Sequence, residues 1–182
     1  LTAKKEIKNL ILHPNAAIFD LIKVEKYNLI ISAAADGSIA AIDAESFELI
    51  AKNKLCDQKL RSLCYIESSD VLLVASGDGF IRVLELPSLK VLNQFFAHEF
   101  SANKVIKHPT KDLLLSGGRD AHLNIIEWPS CKIMEKIPAH NFAIYDIVFH
   151  PENSLFATAS RDKNIKIWDA NNFQFLYRID KK

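Results

Sequence analysis

Cysteine, net charge and long apolar runs are all scarce in this chain of 182 residues, and each shortage excludes a class of protein. Three cysteines, Cys56, Cys64 and Cys131, are an odd number with no C-x-x-C spacing, which argues against a disulfide scaffold. The six histidines form no close pair of zinc-site spacing beside a cysteine, so no metal is expected. Lys+Arg is 23 and Asp+Glu is 22, a net charge of +1, which gives no global electrostatic case for nucleic acid or an anionic membrane. The longest apolar run, Val71 to Ala75, falls far short of the ~20 residues of a membrane helix. No basic-plus-apolar signal segment stands at the front. The expectation is a cytoplasmic protein with neither nucleic acid nor membrane as partner. The remainder is ordinary globular composition, 49% hydrophobic and 25% charged.

The chain repeats itself. Asp36, Asp78, Asp120 and Asp162 are 42 residues apart, and seven residues after each comes another acid: Asp43, Glu85, Glu127 and Asp169. Apolar columns keep the same phase, as in Leu21, Leu63, Val105 and Ile147, or Ile39, Ile81, Leu123 and Ile165. Each unit holds four short apolar or β-branched runs with turn signals between them, which read as antiparallel strands. In the fourth unit these are Ala143 to Phe149, Leu155 to Ala159, Asn164 to Trp168 and Phe173 to Ile179. Asp36-Gly37 and Asp78-Gly79 are tight-turn dipeptides, and Gly117-Gly118 reads as a further turn. Strands apolar on both faces must be covered on both faces. Sheets stacked radially achieve that, which predicts an all-β propeller; a pair of sandwich domains fits a strict period poorly.

The fourth unit carries Ala139-His140, Ser160-Arg161-Asp162 and Ile167-Trp168-Asp169, and the third carries Ala97-His98, Gly118-Arg119-Asp120 and Ile126-Glu127. These motifs resemble the WD-repeat (tryptophan-aspartate repeat) β-propeller family, and the resemblance runs along the whole chain. It implies a buried hydrogen-bond network of His, Ser or Thr, turn Asp and Trp. By position these are His140, Thr158, Asp162 and Trp168 in the last unit, and His98, Ser116 and Asp120 in the third, with Ile126 in place of Trp. The first unit offers Ser32 and Asp36, with His13 one residue out of register. The second offers only Asp78, with Cys56 and Val74 in the polar slots. Such groups would each cost roughly 1–3 kcal/mol if buried unpaired. His140 and Asp162 look like a catalytic pair, but the same constellation recurs at the same phase, so they read as staples.

The units run about 13–55, 56–97, 98–139 and 140–182, within a single propeller segment covering 1–182. Outer strands are expected to begin near Phe47, Leu89, Cys131 and Phe173; the same phase makes 5–12 an outer strand of a preceding blade. Both ends then bring an outer strand, so the two termini cannot complete one shared blade. The chain reads as four consecutive blades plus one strand of a longer, seven-bladed ring, closed by its remaining blades or by a second copy.

No phosphate loop, nucleophile elbow or metalloprotease helix is encoded, and no cofactor is expected. The resemblance implies a partner gripped on the rim of the central channel. Positions carried there by phase are the pre-turn residues Ala35, Gly77, Arg119 and Arg161. The strand starts Phe19, Arg61, Asn103 and Tyr145 join them, with the residues two before: Ala17, Lys59, Ser101 and Ala143. Arg and aromatic residues are typical of binding hot spots, and Lys59, Arg61, Arg119 and Arg161 would form a local positive patch. The expected function is a non-enzymatic scaffold for a protein or peptide, with acidic character fitting that patch. The alternative is a propeller-based hydrolase or lyase whose active site depends on blades missing from this chain.

Overall fold

The computed structural model describes residues 10–180. It is all-β, with sixteen strands in four antiparallel sheets, each a simple meander. The first sheet is β1 (Ile18–Val24), β2 (Leu29–Ala34), β3 (Ser38–Asp43) and β4 (Leu49–Lys54). The second is β5 (Leu60–Ile66), β6 (Val71–Ser76), β7 (Phe80–Glu85) and β8 (Val91–Phe96). The third is β9 (Ala102–Lys107), β10 (Leu113–Gly118), β11 (His122–Glu127) and β12 (Ile133–Pro138). The fourth is β13 (Ile144–Phe149), β14 (Leu155–Ser160), β15 (Asn164–Asp169) and β16 (Phe175–Asp180). The first strands of neighbouring sheets, β1, β5, β9 and β13, pack successively on one another, so they are the inner strands.

The Asp-Gly turns form as read, because Gly37 and Gly79 adopt φ of 82° and 85°, which costs glycine nothing. A Cβ on Gly37 would lie 2.0 Å from the Cys56 carbonyl oxygen, so the turn also needs the missing side chain to let the next loop approach.

Three expectations require correction. The outer strands begin two residues later than read, at Leu49, Val91, Ile133 and Phe175. The reason is that Phe47, Leu89, Cys131 and Phe173 all adopt a left-handed conformation, each N–H donating back to the carbonyl of the acid that ends the preceding strand. Gly117 and Gly118 are not a turn but the end of β10, where a Cβ would meet the Ile144 side chain at 2.6 Å and the His98 ring at 2.4 Å. Residues 10–12 of the expected strand at 5–12 are irregular, and the rest of that segment lies outside the described residues.

The core lies between sheets. Leu60, Leu72 and Leu84 of the second sheet pack on Ile31, Ile39 and Ala41 of the first, and equivalent clusters join the second to the third and the third to the fourth. Fully burying such side chains contributes roughly 1.5–3 kcal/mol each. In the last cluster Phe156 stacks on Trp168, ring centres 6.0 Å apart. The arc is open. In the column Leu21, Leu63, Val105 and Ile147 exposure is 59% for Leu21 but 7% or less for the others, whereas Ile165 is 42% exposed where Ile39, Ile81 and Leu123 are fully buried. One face of each terminal sheet is therefore uncovered, because among the described residues no sheet packs against it.

Candidate functional site at the mouth of the inner strands

Two kinds of polar constellation occupy the end of each sheet that bears the turn aspartate. One is buried and recurs in every sheet. The other is exposed and differs from sheet to sheet.

The buried constellation is clearest in the fourth sheet. Trp168 Nε1–H donates to Thr158 Oγ1 at 2.9 Å, Thr158 Oγ1 lies 2.8 Å from His140 Nε2, and His140 Nδ1 lies 2.8 Å from Asp162 Oδ2. Indole only donates and carboxylate only accepts, so the direction of every bond is set: Thr158 donates to Nε2, and the proton sits on Nδ1. Burial lowers the pKa of His140, outweighing the opposite pull of Asp162. Burial would raise that of Asp162. Hydrogen bonds from His140 and from the Asn141 and Asn164 N–H groups outweigh it and hold the carboxyl down to about 2. The third sheet repeats the pattern: His98 Nε2 to Ser116 Oγ at 2.9 Å and Nδ1 to Asp120 at 2.9 Å.

The first two sheets solve the same problem differently, and here sequence reasoning missed residues. His13, one position early, still reaches Ser32 through Nε2 at 2.7 Å, and its Nδ1 meets Ser38 Oγ at 2.6 Å. Ser38 Oγ–H then donates to Asp36 at 2.6 Å, so a serine hydroxyl spans the register gap. In the second sheet Asp78 is not alone. Buried Arg82 donates to Asp78 Oδ2 and to Ser76 Oγ, each at 2.5 Å. The column Ala40, Arg82, Asn124 and Lys166 is a second polar position of the repeat, with Asn124 Nδ2 on the Ala97 carbonyl and Lys166 Nζ on that of Ala139. The available signal was a polar residue inside each apolar strand Phe80–Glu85, His122–Glu127 and Asn164–Asp169.

The exposed constellation is built on bulges. In every sheet the pairing of the inner strand slips by one residue near its start, between Ile18 and Asp20, Leu60 and Ser62, Ala102 and Lys104, and Ile144 and Asp146. The extra residues are Phe19, Arg61, Asn103 and Tyr145. A bulge re-aims its side chain out of the strand's alternation. Directly beneath, the N–H groups of Ala35, Gly77, Arg119 and Arg161 donate to the carbonyls of Ala17, Lys59, Ser101 and Ala143 at 2.7–2.9 Å. The two sets of positions named by phase are thus joined through the backbone.

Lys59, Arg61, Asn103, Arg119, Tyr145 and Arg161 line one open cavity of about 370 Å3, completed by Gln58, Gly77, Ser101 and Ala143. Phe19 is not in its wall. It lies under Lys59 and Arg61, 5.5 and 4.8 Å from the ring centre. Among the described residues, no acidic side chain lines the cavity. The repeat-phased acids are elsewhere: Asp43 and Asp169 accept backbone N–H groups of the turns leading to β4 and β16, and Glu85 and Glu127 accept the hydroxyls of Ser88 and Ser130.

Residues 131–169 match the family model of the WD domain, G-beta repeat. That stretch takes in the outer strand of the third sheet and the first three strands of the fourth. That match and the repeated four-stranded sheets make the chain similar to WD-repeat β-propellers. Among many solved chains of like fold, one from the crystal structure of a mitotic checkpoint complex superposes with a TM-score of 0.81 at 18% identity. The likeness covers 92% of this chain and 52% of that one, so the chain spans about half the length of the solved protein. A search of curated proteins returns no match.

Proposed function

We propose that this chain is a non-catalytic interaction module that receives a protein or peptide at the channel mouth, and that the contacting surface of the partner is acidic. WD-repeat propellers generally serve as protein-interaction scaffolds, and the solved chain cited above belongs to a complex of proteins. One observation carries the reading. Positively charged side chains of three adjacent sheets open onto a single cavity without a carboxylate among its lining residues. The ionisable pairs that resemble catalytic groups, His98–Asp120 and His140–Asp162, are instead buried and anchored to a strand hydroxyl in both sheets. Three unpaired cysteines suit a reducing, cytoplasmic setting.

The test is lysine-directed cross-linking of the full-length protein to its captured partners. Cross-links are expected at Lys59, on the mouth. Cross-links confined to outer-strand lysines such as Lys52 and Lys136 would overturn the assignment.

A further inference from the structure

The four sheets make an internal control that separates scaffold from function. A residue the blade needs recurs in every sheet in some form, as the turn Asp does. Phe100 with Arg119, and Phe142 with Arg161, do not recur: the same positions hold Ala16 with Ala35 in the first sheet and Gln58 with Gly77 in the second. The blade folds without this pair, yet two adjacent sheets carry it in the same geometry. Arg119 stands 5.8 Å from the ring centre of Phe100, and Arg161 stands 5.9 Å from that of Phe142. Both rings are more than half exposed, so neither is there to fill a core. Phe100 even adopts a φ of 85°, an unusual conformation for a bulky residue.

A third guanidinium faces the same cavity. Arg61 sits over Phe19, and its Nε is out of water with no hydrogen-bond partner. Among the described residues, none of Arg61, Arg119 and Arg161 is within ion-pair distance of a carboxylate, although Lys104, one residue beyond the Asn103 bulge, is paired to Asp146. A cation over an aromatic face is held in place while its N–H groups stay free for an acceptor.

Resting on the mouth reading above, we infer that Arg61, Arg119 and Arg161 form a receptor for the phosphoryl group of a phosphorylated peptide. The choice between anions follows from valence. A carboxylate has two oxygens and one charge, which one guanidinium fork satisfies. A phosphoryl group carries about −1.5 to −2 charges and three acceptor oxygens, which matches three guanidinium groups brought to one cavity from three sheets. Phe100 and Phe142 flank the forks and offer apolar contact to neighbouring side chains of the peptide.

The experiment uses the full-length protein and three immobilised peptide libraries, degenerate except for a central phosphoserine, glutamate or serine. Retention on the phosphoserine library is expected to exceed that on glutamate by about ten-fold or more, and Arg119→Lys with Arg161→Lys is expected to remove most of that preference while leaving the charge in place. Equal retention on phosphoserine and glutamate overturns the phosphoryl assignment. It leaves the mouth reading standing if cross-links still fall at Lys59. Inorganic phosphate and a short oligothymidylate are added as competitors. Displacement by either as effective as by the free phosphoserine library overturns the peptide assignment in favour of free phosphate or single-stranded nucleic acid. The circular dichroism and melting temperature of the lysine variant should equal those of the parent, since both arginines lie on turn surfaces.

Discussion

Trp168 and Asp162 stand at the two ends of one directed chain of hydrogen bonds, with Thr158 and His140 between them. Because one end can only donate and the other only accept, the middle groups have a single satisfied arrangement. The turn carrying Asp162 is thereby tied to the loop carrying His140, which links the outer strand of one sheet to the inner strand of the next. Replacing His140 by Ala leaves Thr158 and Asp162 without their buried partner. A loss of about 3 kcal/mol is expected, against about 1 kcal/mol for Trp168→Phe, which removes one donor. Urea unfolding of the two variants checks the ratio.

Acid should weaken the fold in two stages. Burial chiefly lowers the pKa of His13, His108 and His140 below 6.5, so the unfolded chain takes up protons there that the folded chain refuses. Stability is full above about 6.5 and declines as the pH falls below it. Asp162, held at about 2 against 3.8, adds a further loss as the pH falls from 3.8 towards 2. Melting temperatures recorded between pH 8 and pH 3 should drop first in the histidine range, and the drop should shrink in His140→Asn.

Gly118 has no side chain because the His98 ring occupies its place. Alanine there would set a Cβ 2.4 Å from the ring and displace His98 from Ser116 and Asp120. The expected cost is about 2–3 kcal/mol, larger than the gain of up to about 1 kcal/mol that a Gly-to-Ala change gives where the space is free. Chemical denaturation reads this directly.

Arg82 and Asp78 take the place of the histidine staple in the second sheet, with the arginine only 7% exposed. Arg82→Leu strands a partly buried carboxylate, and a loss of roughly 2–4 kcal/mol is expected. Arg82→Leu combined with Asp78→Asn should recover part of it, because the uncompensated charge is gone. A double-mutant cycle measures the recovery.

One column gives opposite outcomes at its two ends. Leu123→Ala should cost 2–5 kcal/mol, the range for a fully enclosed side chain, whereas Ile165→Ala in the 182-residue chain should cost far less, since Ile165 is 42% exposed. Ile165→Ser should also reduce self-association through the uncovered face, measured by sedimentation velocity.

The period of 42 and the alternation of short strands with turn signals are enough to name the blade and its turn acids, because these depend on local pattern repeated in phase, whereas the partners His98, Ser116 and Asp120 follow only from the resemblance to the WD-repeat family. The sequence places the strand starts two residues early because no composition signal marks a phenylalanine, leucine or cysteine as left-handed; the conformation is imposed by a back-bonded turn. His13 fell outside the phase argument because a hydroxyl on another strand makes up the missing distance.

Sequence by itself determined that four like units exist and which side chains each contributes. Only tertiary structure decided that one-residue bulges turn Arg61 and Tyr145 towards the same opening as Arg119 and Arg161. Arg61, Arg119 and Arg161, each 42 or more residues apart in sequence, meet there because neighbouring sheets pack side by side. That convergence is a property of packing between units, which no unit carries alone.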